Sequence, residues 1–167
     1  MMMLLNPGPV NVTERVRKAL HQPDICHRES ECAELIQTIR LKILKAFVPG
    51  AEAEYTAVVL TGSGTAAVES TMLSSIPFGK RMLVLNNGVY GERMTSMIGV
   101  HRIGVPELKF DWTSRPDPEK LRLALRQHPE VHAVAMVHHE TTTGLINPVK
   151  EIAEVVDSLN RVFIVDS

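Results

Sequence analysis

The sequence predicts an α/β fold in which a mainly parallel sheet is covered by helices on both faces. From about residue 56 onward, short apolar runs alternate with stretches of helical periodicity, and strand–helix alternation is typical of parallel sheets. Glycine-containing or polar segments follow several of the apolar runs. Because ligands bind at the carboxyl ends of parallel strands, these segments are the candidate functional site.

Before this alternation, the chain predicts two helices. A short helix is expected over 13–20, with Thr13 as its N-cap. A longer helix is expected over 30–47 with Ser30 as its cap, because apolar side chains recur there at helical spacing.

The alternating part of the chain predicts five strands and four helices. Strands are expected over 56–60, 81–85, 103–110, 132–137 and 161–165. Helices are expected over 65–76, 90–99, 118–127 and 148–159. Pro106 interrupts the third strand, which suits the edge of a sheet. Asp117 is expected to cap the third of these helices, with Pro118 in its first turn.

Composition excludes several classes of protein. The 167 residues suffice for one domain with a core, and nothing marks a linker, so a single structural unit is expected. The formal net charge of −1 argues against a broad nucleic-acid surface. No apolar run is long enough to span a bilayer, and the first residues do not form a secretory signal. The two cysteines fit a reducing compartment, so a cytoplasmic location is expected.

The segment TGSGT and the helix predicted after it have the features of an anion cradle. Gly62 and Gly64 let the backbone approach a ligand, and the helix start offers free N–H groups. The alternative is a tight turn that binds nothing. Gly62, Gly64 and Ala67 also satisfy the dinucleotide fingerprint of a nicotinamide-dependent oxidoreductase. That class requires an acidic residue at the end of the next strand, which here ends in Asn86 and Asn87.

Three further strand ends carry candidate residues. Tyr90 stands between Gly88 and Gly91, where its ring either stacks on a flat ligand or packs in the core. The segment HHETTTGLINP places three threonines in a turn. Its neighbouring histidines point to opposite faces of a strand, so no metal site is expected. Asp166 ends an apolar strand, so it caps a helix, is buried with a partner, or faces a ligand such as a positively charged ring nitrogen.

Five segments resemble, in order, the blocks of the class V branch of the fold-type I pyridoxal-phosphate aminotransferases: LLNPGPVNV, TGSGTAAVES, NNGVYGERM, HHETTTGLINP and IVDS. Within that branch the chain is most similar to the 2-aminoethylphosphonate:pyruvate group. Alanine:glyoxylate and serine:pyruvate aminotransferases share the same skeleton, but they usually carry a Ser-rich turn and a Trp where this chain has ETTTG and VYG. The resemblance implies a partial fold-type I large domain. Residues 1–55 would form the N-terminal substrate loop and helices, and residues 56–167 an incomplete pyridoxal-phosphate-binding domain.

The resemblance also implies a site for pyridoxal 5'-phosphate. The implied contacts are Ser63, Gly64 and Thr65 for the phosphate, Tyr90 for stacking on the ring, Thr141 for the phenolic oxygen and Asp166 for the ring nitrogen. Asp166 would keep that nitrogen protonated, which makes it the implied catalytic residue. Pro7 and Gly8 fall in the implied substrate loop.

The implied reaction transfers the amino group of 2-aminoethylphosphonate to pyruvate and gives phosphonoacetaldehyde and alanine. The implied partners are therefore a small-molecule amino donor and pyruvate, with a homodimer as the working form, and neither nucleic acid nor a membrane is expected.

The family's Schiff-base lysine lies downstream of the strand-end aspartate, and no lysine of this chain stands in a matching context. The family's substrate-binding arginine also lies beyond Ser167. The chain is therefore expected to be an N-terminal fragment that is inactive alone. A non-catalytic cofactor-binding fragment stays open as an alternative.

Overall fold

The structure is a computed structural model that describes residues 3–5, 8–104 and 107–167. The chain divides into two compact units, Met1–Thr61 and Gly62–Ser167. Among the described residues, none of the helices combines the length and the apolar character needed to cross a membrane.

The first unit is helical, as the sequence predicts. It contains α1 (Glu14–Ala19), α2 (Ser30–Phe47) and a short 3-10 turn (Glu52–Glu54). The hydroxyl of Thr13 accepts a hydrogen bond from the N–H of Val16 at 3.4 Å. This bond satisfies one of the free donors at the start of α1 and confirms Thr13 as its cap.

Two expectations for the first unit are wrong. Ser30 does not cap α2, because Ser30 is already helical and the extended residue before the helix is Glu29, whose side chain makes no capping bond. Residues 56–60 form no strand, and Val58 is 75% exposed. A strand is stable only beside hydrogen-bonded neighbours, which an apolar run does not supply by itself.

The second unit alternates strands and helices. Its helices are α3 (Gly64–Ser74), α4 (Val89–Val100), α5 (Pro118–Gln127) and α6 (Val149–Ser158). Its strands are β1 (Arg81–Asn86), β2 (Leu108–Lys109), β3 (Val131–Val137), β4 (His139–Glu140), β5 (Leu145–Ile146) and β6 (Val162–Asp166). Four of them form a parallel sheet in the order β2-β1-β3-β6. The α/β class with a mainly parallel sheet is therefore confirmed.

Two details at the sheet's margins refine the expectation. The strand expected over 103–110 is reduced to β2 and lies at the edge of the sheet, as an interrupted strand should; Pro106 itself lies outside the described residues. The threonine-rich turn connects β4 and β5, which form a short antiparallel hairpin; the sequence pattern predicts only a turn there.

Helices cover both faces of the sheet, because successive strand side chains point in opposite directions. Leu83 and Leu85 of β1 belong to a buried cluster with residues of α5 and α6. Met82 and Val84 belong to a second buried cluster with residues of α3 and α4. A fully buried side chain of this size contributes about 1.5–3 kcal/mol to folding.

The strand register determines which loops meet at the carboxyl edge. Val137 of β3 pairs with Asp166 of β6, and β3 also pairs with β1 along most of its length. The segments that follow β1 and β3 therefore lie at one edge of the sheet together with the last residue of β6. The sequence predicts the functional site at this edge.

Candidate active site

A cavity of about 250 Å³ opens in the second unit at this edge. Its walls are formed by Gly64, Thr65, Val68, Tyr90, Arg93, Met94, Met97 and Asp166. The cavity thus brings together the start of α3, the first three turns of α4 and the end of β6. These elements carry three of the segments that the sequence predicts to be functional.

The start of α3 presents free donors to the cavity. The hydroxyl of Ser63 accepts a hydrogen bond from the N–H of Ala66 at 3.2 Å and so caps the helix. Within the described part of the chain, the N–H groups of Gly64 and Thr65 donate to no protein acceptor. Unpaired N–H groups and the positive end of the helix dipole together favour an anion.

Arg93 adds positive charge beside these donors. Its guanidinium donates to the hydroxyl of Thr65 at 3.2 Å and lies 5.0 Å from the centre of the Tyr90 ring. Tyr90 and Arg93 are three residues apart on α4, which places them on the same face of the helix. The guanidinium occupies one face of the ring, so a flat ligand that stacks on Tyr90 must take the other face or displace Arg93.

Asp166 supplies the cavity's carboxylate. Burial raises the pKa of this carboxyl group above its ordinary value, because the charged form loses hydration. The positive charge of Arg93 opposes that rise in pKa, and the negative charge of Glu140 adds to it. A cationic group on a bound ligand would relieve the cost of this half-buried charge.

The comparison with known proteins identifies the family. A profile of the aminotransferase class-V family matches residues 11–167. The chain belongs to this family. A 2-aminoethylphosphonate–pyruvate transaminase of Syntrophobacter fumaroxidans is 41% identical over 165 residues, which is 99% of this chain and 44% of that protein. A second 2-aminoethylphosphonate–pyruvate transaminase, of Lysinibacillus sphaericus, is 36% identical over 98% of this chain and 44% of its own length.

A solved structure of an aminotransferase has the same fold as this chain. The pyridoxamine–pyruvate aminotransferase of Mesorhizobium loti superposes with a TM-score of 0.85 at 26% identity, over 98% of this chain and 41% of that one. The chain therefore spans less than half the length of the relatives it matches, and its α/β fold is a partial class-V aminotransferase fold.

Not every residue expected in the class-V site lines the cavity. Thr141 follows β4 and is partly exposed, and neither it nor Ser63 belongs to the cavity wall. Gly8 lies in an exposed bend of the first unit, and Pro7 lies outside the described residues. The functional roles of all these residues remain predictions.

Neither Arg93 nor Glu140 is among the site residues predicted from the sequence. Arg93 has a local signal, since it follows Tyr90 at helical spacing. Glu140 has none, because its partners are set by tertiary contacts. Among the described residues, no group of three or more His, Cys, Asp and Glu side chains is arranged to hold a metal ion.

Two buried asparagines join the ends of β1 and β3 at the carboxyl edge of the sheet. The Asn87 side-chain N–H donates to the Asn147 side-chain oxygen at 2.8 Å, and the Asn147 side-chain N–H donates to the Val137 carbonyl at 2.8 Å. Asn87, one of the two asparagines that argue against a dinucleotide site, thus has a structural use. No sequence spacing could reveal it, because the two partners are 60 residues apart.

Proposed function

We propose that this chain is the cofactor-binding part of a pyridoxal-phosphate-dependent aminotransferase that transfers the amino group of 2-aminoethylphosphonate to pyruvate. The observation that carries the proposal is the cavity shared by the start of α3, Tyr90 and Asp166. The class-V family match and the two relatives named for this reaction support the choice of substrates.

The residues of the cavity fit the groups of pyridoxal 5'-phosphate. The free N–H groups of Gly64 and Thr65 suit a phosphate, and the Arg93 charge strengthens their attraction for it. The Tyr90 ring suits stacking on a pyridine ring. The carboxylate of Asp166 suits a protonated ring nitrogen, because opposite charge offsets the cost of its burial.

When bound, the cofactor supplies an electron-withdrawing ring that stabilises negative charge next to the transferred nitrogen. Asp166 holds the proton on the ring nitrogen and so preserves the ring's positive charge. The start of α3 fixes the phosphate, and Tyr90 fixes the plane of the ring, which together orient the reacting atoms. Thr141 is proposed to donate to the phenolic oxygen, and Ser63 to join Gly64 and Thr65 at the phosphate.

Other parts of the proposal concern the whole protein. We infer that the amino donor and pyruvate are its small-molecule partners, that it works as a homodimer in the cytoplasm, and that Pro7 and Gly8 contribute to substrate binding. The resemblance to the class V branch is the support for each of these statements.

Activity of the intact protein tests the proposal. The protein is titrated with pyridoxal 5'-phosphate by absorbance and then supplied with 2-aminoethylphosphonate and pyruvate while alanine is measured. We expect saturable cofactor binding and alanine formation. Asp166→Asn should lower turnover by about 100-fold or more, since the ring charge is no longer stabilised. Asp157→Asn, the same change on an exposed part of α6, is the matched control and should leave turnover unchanged.

The donor is tested with a substrate panel. Alanine with glyoxylate and serine with pyruvate are assayed beside 2-aminoethylphosphonate with pyruvate. Faster turnover of either alternative pair would replace the phosphonate assignment while keeping the cofactor. Absence of cofactor binding by the intact protein would refute the aminotransferase proposal itself.

A further inference from the structure

Glu140 is a fully buried carboxylate at the end of β4, with none of its surface exposed. The other buried polar side chains among the described residues are asparagines, which carry no charge. A buried charge is costly unless hydrogen bonds or an ion pair compensate it. In the described part of the chain, Glu140 forms no salt bridge, so its compensation must come from hydrogen-bond donors.

The two carboxylate oxygens of Glu140 accept hydrogen bonds from two different segments. One oxygen, Oε1, accepts from the hydroxyl of Thr142 at 2.6 Å and from the Thr142 N–H at 3.4 Å. The other oxygen, Oε2, accepts from the backbone N–H of Tyr90 at 3.3 Å. Glu140 therefore connects the threonine turn with the start of α4.

The start of α4 lacks a side-chain cap of its own. Its N-cap residue is Gly88, which has no side chain to accept a bond from the first turn. Tyr90 is the second residue of the helix, and its N–H is one of the donors that a capping side chain normally satisfies. The Glu140 carboxylate takes that place from a different strand, and its negative charge also interacts favourably with the helix dipole.

Close packing requires glycine at position 88. A Cβ atom built on Gly88 would lie 2.4 Å from the Cγ and Cδ atoms of Glu140. The backbone of Gly88 thus packs directly on the Glu140 side chain. Contact on one side and hydrogen bonds on the other leave this carboxylate little room to move.

We propose that Glu140 is a positioning residue that caps α4 from a neighbouring strand and so fixes Tyr90 in the cavity near Asp166. The inference rests on the proposed function of that cavity as a pyridoxal-phosphate site. Glu140 does not line the cavity, so it acts through Tyr90 rather than on the cofactor.

Amide hydrogen exchange, measured by NMR on the intact protein without added cofactor, tests the cap. Glu140→Gln keeps the volume of the side chain but removes its charge and one acceptor. We expect the Tyr90 amide to exchange about tenfold faster in this variant, and faster still in Glu140→Ala, because a capping bond is lost. The Ala135 amide, in the centre of the sheet, should keep its exchange rate. Thr142→Ala, which removes a donor to the other oxygen, should give a smaller increase at Tyr90.

Glu92→Gln is the matched control, because it makes the same chemical change on the partly exposed surface of α4, where Glu92 lies 3.7 Å from Lys109. It should leave the Tyr90 exchange rate unchanged. Unchanged Tyr90 exchange in Glu140→Ala would overturn the proposal. Equal acceleration at Tyr90 and Ala135 would overturn it too, since Glu140 would then stabilise the fold as a whole.

Binding of pyridoxal 5'-phosphate separates this inference from the proposed function. We expect the cofactor to bind about tenfold more weakly to Glu140→Ala, with an altered circular dichroism of the bound cofactor, and normally to Glu92→Gln. Normal binding and dichroism in Glu140→Ala would overturn the positioning role. If the unmodified protein binds no cofactor, the proposed function fails, while the exchange rates still decide whether Glu140 caps α4.

Discussion

Asp166 is partly buried, and burial disfavours the charged form of its carboxyl group. Desolvation raises the pKa of its carboxyl group, Arg93 lowers that pKa, and Glu140 raises it again. The native protein therefore binds a proton at Asp166 more readily than the unfolded chain does. The slope of the free energy of unfolding against pH follows the number of protons bound by the unfolded chain minus the number bound by the native protein. The free energy of unfolding therefore falls as the pH rises from 3.8, the ordinary pKa of the carboxyl group, through its native pKa.

The first prediction concerns the pH dependence of this cost. Without cofactor, Asp166→Asn should raise the free energy of unfolding at pH 7 by up to about 1 kcal/mol, a gain limited by the carboxyl group's remaining contact with solvent. The gain should shrink as pH falls toward 3.8, where the natural side chain becomes neutral. Urea unfolding at several pH values measures it. A gain that persists unchanged in acid would contradict the assigned cause, and Asp157→Asn controls for the amide substitution itself.

At the scale of elements, helix starts differ in how their caps are supplied. The cap of α3 is local, since the hydroxyl of Ser63 accepts from the N–H of Ala66. The cap of α5 is local too, because the Asp117 carboxylate accepts from the Glu119 N–H at 2.9 Å. At the start of α4, the N–H of Tyr90 instead donates to the carboxylate of Glu140, which is 50 positions away in the sequence.

The second prediction uses the local cap of α3. Ser63→Ala should lower the free energy of unfolding by about 1 kcal/mol, because the Ala66 N–H loses its acceptor. Ser63→Asp retains an acceptor and should retain most of the stability. Urea unfolding compares the three proteins, and equal losses in both variants would show that the hydroxyl does not act as a cap.

The third prediction uses two glycines of the α4 region. Gly88→Ala should lower the free energy of unfolding by about 1–3 kcal/mol, because the added methyl group meets the buried Glu140 side chain. Gly99→Ala is the matched control, since nothing lies within 4 Å of the added atom. It should stabilise the protein by about 0.5–1 kcal/mol through helix propensity. Similar effects of the two substitutions on thermal unfolding would contradict the close contact at position 88.

At the scale of the whole molecule, the second unit depends on helices packed on both faces of its sheet. Ile152 of α6 is fully buried in one of the two clusters. Met82 of β1 is fully buried in the other. Both clusters pack the helices against the strands whose carboxyl ends carry the candidate site.

The fourth prediction tests that packing. Ile152→Ala should lower the free energy of unfolding by about 2–5 kcal/mol, because it removes buried methyl groups and leaves a cavity. Leu123→Ala, at a side chain of α5 that is 57% exposed, should change it by less than about 0.5 kcal/mol. Denaturant unfolding of the two variants distinguishes them, and equal losses would mean that α6 is not packed on the sheet as described.

Local signals predict elements well and pairings poorly. The start of α5 is predicted to the residue, because Asp117, Pro118 and the helical periodicity all lie in one short segment. The strand expected over 56–60 is wrong, because its apolar residues cannot specify a hydrogen-bonded neighbour. The hairpin of β4 and β5 is missed for a related reason, since two-residue strands carry almost no periodic pattern.

The sequence by itself determined the alternation of strands and helices, the capped starts of α1 and α5, and the residues available at the strand ends. These follow from periodicity, capping chemistry and turn residues, which act over a few positions. Only the tertiary structure decided that β3 lies between β1 and β6, that Tyr90 and Asp166 share one cavity with the start of α3, and that Glu140 caps α4. Strand order and buried contacts join residues dozens of positions apart, and their free energies depend on the packing of the folded chain rather than on any local pattern.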